Sequence, residues 1–66
     1  MNSESIREKL IFLRGERTQS EVAREIGISP SAYAMYENGT RIPRDAVKVK
    51  LAKYYNKSVQ YIFFDE

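Results

Sequence analysis

Carboxylates are the only residues in this chain with spacing that invites acid–base or metal chemistry. Glu4, Glu8, Glu16, Glu21 and Glu25 recur at helical intervals, but Arg7, Lys9, Arg14, Arg17 and Arg24 are interleaved with them. That alternation describes solvated helix faces, not two carboxylates whose environments push their pKa values apart. The 66 residues include no histidine and no cysteine. Imidazole bases, thiolate nucleophiles and Cys/His metal sites are therefore excluded, and the remaining Lys, Tyr and Ser routes need a pocket to orient them or shift their pKa. At this length folding buries only about 60% of the chain's surface, which leaves little room to enclose an active site. The composition argues against an enzyme and calls for neither metal nor cofactor.

The chemistry that does stand out is charge. From Arg41 to Lys57 there are six cations (Arg41, Arg44, Lys48, Lys50, Lys53 and Lys57) against one anion, Asp45. This stretch carries +5 on a chain whose total is +2, so the remainder carries −3. A patch of one sign on a nearly balanced chain has two readings, a nucleic-acid or other anionic partner and a solvated helix surface.

Helices must position these residues. With 42% apolar and 30% charged residues and no thiol to staple it, the chain reads as one small domain, 1–66, resting on a compact apolar core. No apolar run reaches bilayer length and MNSESIREKL lacks the grading of a signal peptide, so a cytoplasmic location away from membranes is expected. Ser5-x-x-Glu8 predicts a capping box for a first helix over about 5–14, with Ile6, Leu10 and Leu13 as its apolar stripe. Gly15 stops it. Thr18-x-x-Glu21 starts a second helix, about 19–26, with Val22, Ala23 and Ile26 inward. Gly27, then Ser29 and Pro30, read as a C-cap followed at once by an N-cap and first-turn proline. The third helix, about 30–37, turns Tyr33 and Tyr36 inward and ends at Asn38-Gly39. Asp45 is the expected N-cap of a fourth helix reaching Tyr55. Its Val47-Lys48-Val49-Lys50-Leu51 run alternates like a strand, but an isolated strand has nothing to pair with. Ser58 caps a last short helix with Val59, Ile62 and Phe63 on one face.

The informative stretch is Thr18 to Gly39, TQSEVAREIGISPSAYAMYENG. Two helices joined by three residues around a glycine cross steeply, and the crossing needs a small residue, Ala23. Ile28 plugs the corner. Ser31, Ala34 and Met35 are left on a face with little to bury against, and a helix held proud of its domain fits the major groove of B-DNA.

The stretch resembles the helix-turn-helix of the Xre/Cro-like repressors, and the likeness runs on through YENGTRIP and YYNKSVQYIFF. The ordered set Gln19, Ala23, Gly27, Glu37-Asn38-Gly39 and Pro43 carries it. The resemblance implies an all-α, compact five-helix bundle of the lambda-repressor-like kind, binding an operator in double-stranded DNA and acting as a repressor. It implies that Gln19, helped by Thr18 and Ser20, lies at the DNA backbone. Pro30, Ser31, Ala34 and Met35 match the base-facing positions, and Asn38, Thr40, Arg41 and Arg44 match a phosphate-contacting loop. Lys48 belongs with these cations as a further phosphate contact. Arg14 matches an arginine that pairs with the glutamate at Glu37. Two departures stand out: the connection Gly15-Glu16-Arg17 is shorter than usual, and Asp45 and Lys48 fall where relatives often carry core leucines.

Ile11, Phe12, Tyr61 and Phe64 remain over once the apolar stripes are assigned. Ile11 and Phe12 have two readings, a wider core and an exposed patch. The resemblance favours homodimers joined through the C-terminal helices, which makes Tyr61 and Phe64 the candidates for self-association. The same fold also serves protein recognition, as in antitoxins or antirepressor targets, so a protein partner is the alternative to DNA.

Overall fold

A computed structural model describes residues 2–64. The chain forms α1 (Ser3–Arg14), α2 (Gln19–Ile26), α3 (Pro30–Asn38), α4 (Asp45–Tyr55) and a short α5 (Gln60–Phe64), the last wound as a π-helix. Among the described residues there is no strand, and no helix is long and apolar enough to cross a membrane.

Caps account for most of the boundaries. Thr18 Oγ1 accepts from the Glu21 N–H at 3.0 Å and Ser29 Oγ from the Ala32 N–H at 3.0 Å, so α2 and α3 begin where their caps predict. The start of α1 differs from the expected capping box at Ser5. Asn2 has the extended backbone a cap requires, and its Oδ1 accepts from the N–H groups of both Glu4 and Ser5, which leaves Ser5 inside the first turn. The start of α4 differs too. Arg44 takes the extended N-cap conformation without a side-chain bond, and Asp45 is the first helical residue with its side chain fully exposed.

Gly27, at φ +80°, ends α2 in the left-handed conformation, and the Ile28 N–H then bonds back to the Ala23 carbonyl at 2.9 Å. This closes the corner between α2 and α3 in three residues. At the end of α3, Gly39 is also left-handed, at φ +83°, and a Cβ there would lie 3.3 Å from that of Ser3. The short connection after α1 is closed by Arg17, which donates to the carbonyls of Leu13 (2.9 Å) and Arg14 (3.1 Å) while its guanidinium lies over Tyr54 and Tyr55.

The core gathers the predicted stripes. Ile6, Leu10, Val22, Ala23, Ile26, Tyr33, Tyr36, Val47, Leu51, Ala52, Tyr55, Ile62 and Phe63 are all buried, with Leu13, Ile28 and Val59 packed against them. The hydroxyls of Tyr33 and Tyr55 meet at 2.8 Å inside it, so neither polar tip is stranded. Ile11 and Phe12 are exposed, Phe12 by 78%, which decides between their two readings.

Lys48 corrects the sequence reading. It is only 6% exposed, 3.7 Å from Asp45, with its ammonium over the rings of Phe63 and Phe64. Its methylene stem fills a core position of α4, and its charge snorkels toward the C-terminal rings. It is not among the cations that face solvent.

Candidate nucleic-acid interface

The packing of α2 against α3 brings the start of one helix to the end of the other. Gln19, the first residue of α2, is half-buried, and its Nε2 donates to Glu37 Oε1 at 2.9 Å. A carboxylate only accepts, so the NH₂ side of the amide must face Glu37, and this leaves Gln19 one further N–H. Arg14 approaches the same carboxylate from α1 as a fork, Nε to Oε2 at 2.8 Å and Nη2 to Oε1 at 2.9 Å, while its Nη1 donates to the Arg17 carbonyl at 2.7 Å. Glu37 is only 4% exposed. Burial by itself would raise its pKa, but hydrogen bonds from Arg14, Gln19 and Tyr33, together with the charge on Arg14, hold the carboxyl below its ordinary range.

Next to this hub the end of α3 is organised by its own side chains. Asn38 Oδ1 accepts from the backbone N–H of Thr40 at 2.9 Å and from its hydroxyl, and the Arg41 N–H bonds to the Met35 carbonyl at 3.2 Å. With its oxygen held by Thr40, Asn38 keeps an NH₂ group with two donors. Thr40, Arg41 and Arg44 are exposed. On α3 itself Pro30 and Ser31 are exposed and Ala34 and Met35 half-exposed, whereas Tyr33 and Tyr36 on the opposite face are buried.

The structure thus gathers Gln19, Glu37, Asn38, Thr40 and Arg41 at one end of α3, with Thr18 serving as the α2 cap and Ser20 exposed beside it. It does not bring Lys48 to this set. Phe64 is 44% exposed and Tyr61 half-buried, and the Tyr61 carbonyl accepts from Lys9 Nζ at 2.6 Å. The bond between Gln19 and Glu37 has no counterpart in the sequence reading, since the two residues lie 18 positions apart and only the crossing of α2 and α3 joins them.

Two packed helices closed by a three-residue turn, with the second exposing Pro30, Ser31 and in part Ala34 and Met35, form the architecture of a helix-turn-helix protein. The comparisons agree: the helix-turn-helix family model matches residues 6–62, and the chain belongs to that family, in its Xre-like branch. The chain is also similar to the cryptic phage CTXphi transcriptional repressor RstR of Vibrio cholerae, 39% identical over 59 residues, 86% of this chain. The chain spans about half (53%) of that relative's length. No solved structure matches the chain significantly.

Proposed function

We propose that this chain is the DNA-reading unit of a transcriptional repressor, one that occupies an operator in double-stranded DNA as a homodimer and works by binding rather than catalysis, in the cytoplasm. The observation that carries this reading is the fixed relation of Gln19 to Glu37, which holds the start of α2 at the end of α3 beside Asn38 and Arg41. Such a rigid edge suits the phosphate wall of a groove entered by α3. In this reading Pro30, Ser31, Ala34 and Met35 face the bases. Thr18, Gln19, Ser20, Asn38, Thr40, Arg41 and Arg44 meet the backbone. Phe64, exposed at the C-terminal edge, and its neighbour Tyr61 meet the second copy.

Selection of bound sequences from random duplex DNA tests this directly. A two-fold dimer presents two copies of α3 to one face of the duplex, so the selected site is an inverted repeat with half-site centres about 10 base pairs apart. With Lys48 buried, Arg41 and Arg44 give a dimer roughly 4 cationic phosphate contacts and a log–log salt slope of about −4. Binding insensitive to salt, or single half-sites bound as tightly as the repeat, would overturn it. A protein partner is the second reading, supported by the exposed pair Ile11 and Phe12 on α1.

A further inference from the structure

An open cleft of about 430 Å³ lies between α2 and the start of α3, lined by Ser20, Arg24, Ile28 and Pro30. Arg24 is exposed, and its guanidinium has no hydrogen-bond or ion-pair partner among the described residues. Two of the other lining residues already belong to the proposed DNA surface, Ser20 to its backbone-facing part and Pro30 to its base-facing part.

The position of this cleft relative to the other candidate phosphate contacts is informative. Gln19, Asn38, Thr40 and Arg41 gather at the C-terminal end of α3, because Gln19 is bonded to Glu37 there. Arg24 stands at the opposite end, beside Pro30, the first residue of α3. A nine-residue helix is about 13 Å long, close to the roughly 12 Å width of the major groove. A groove has two phosphate walls, and Gln19, Asn38, Thr40 and Arg41 gather at one end of α3 while Arg24 stands at the other.

We propose that Arg24 holds a phosphate of the strand opposite the one met by Gln19, Ser20 and Asn38. The apolar floor of Ile28 and Pro30 packs against the adjoining deoxyribose. This rests on the DNA-binding reading. It adds a grip at the leading end of α3, whose four base-facing positions offer a single side-chain hydroxyl and so need firm placement from the backbone.

The test compares the 66-residue chain with Arg24→Ala and Arg24→Lys, measuring affinity for the selected repeat as a function of salt. Arg24 is exposed and unpaired, so both variants keep the parent's thermal midpoint. Arg24→Ala makes the salt slope shallower by about 0.9 per half-site, and Arg24→Lys restores it, because an ammonium serves a phosphate as a point charge. Neutral methylphosphonate substitution, one phosphate at a time, then locates a position on the opposite strand that weakens the parent but not Arg24→Ala. An unchanged slope in Arg24→Ala beside a steep parent slope overturns the assignment alone. Relaxed sequence preference at constant slope does the same, since it signals base reading. A parent that shows no salt-dependent binding overturns the DNA-binding reading itself.

Discussion

Arg14 and Glu37 form a forked ion pair, 2.8 and 2.9 Å across its two bonds, that ties α1 to the last turn of α3. Its carboxylate is buried while its guanidinium stays partly exposed, with side chains 5% and 21% accessible. Removing one partner of such a pair strands the other, at about 3 to 5 kcal/mol, whereas an exposed pair is worth under about 1. Arg14→Ala is therefore expected to lower stability by the larger amount in chemical denaturation. It also weakens DNA binding, because the anchor of Gln19 is then free to turn. Unchanged stability and affinity would show the pair to be ornamental.

Glu37 also sets an acid limit on the fold. Its carboxyl is held below its ordinary range in the folded chain, while the unfolded chain takes up that proton near pH 4.3. The stabilisation is thus fully present above about pH 4.3 and is lost as pH falls through the lower folded value. Denaturation midpoints measured between pH 7 and 3 should fall more steeply for the parent than for Glu37→Gln, which has no carboxyl there to titrate. Parallel curves would count against this assignment.

Lys48 separates a structural cation from binding ones. Because its ammonium lies over Phe63 and Phe64 and its side chain is buried, Lys48→Met should leave the salt dependence of DNA binding unchanged. Its effect falls on stability, where a partly desolvated cation–π contact is worth about 0.5 to 2 kcal/mol and the new apolar contact partly replaces it. Arg41→Ala and Arg44→Ala should each make the slope shallower by about 0.9 per half-site. If Lys48→Met flattens the slope as they do, the lysine leaves its cage on binding.

Sequence reading by α3 must rest on little. Pro30, Ser31, Ala34 and Met35 supply one hydroxyl between them, so the bidentate contacts to guanine or adenine that give about 1 to 3 kcal/mol of discrimination cannot come from these positions. Apolar contact of Ala34 and Met35 with thymine methyl groups remains, together with DNA shape near Arg44. Replacing thymine by uracil at single positions of the selected site removes the methyl group and keeps the hydrogen-bonding edge. Affinity should drop by about 1 kcal/mol at each contacted thymine, on a scale of about 0.8 per buried methylene. No loss at any thymine would show that the groove is read in another way.

Local signals settled much of this molecule. Thr18 and Ser29 accept from N–H groups of the first turn they cap, Pro30 presets the first helical φ of α3, and Gly27 and Gly39 each fix one left-handed residue, so α2, α3 and their corner were legible from spacing alone. The apolar stripes that fill the core were legible for the same reason, since a helical period of 3.6 puts them on one face. The ends of α1 and α4 were less so. Asn2 and Ser5 could each cap the first helix, and Arg44 gave no side-chain signal at all.

What the chain's order could not decide was which charges stay in water. Lys48 sits in a run of cations that look alike in the sequence, yet it is buried with its ammonium over Phe63 and Phe64 of α5, while Arg41 and Arg44 stay exposed on the loop before α4. The meeting of Arg14, Gln19 and Glu37 likewise depends on how three helices pack, since the residues lie on α1, α2 and α3 and no single helix joins them. Caps and stripes act over a few residues and are written in sequence. Burial and long-range pairing are properties of the packed helices, and only the tertiary structure could assign them.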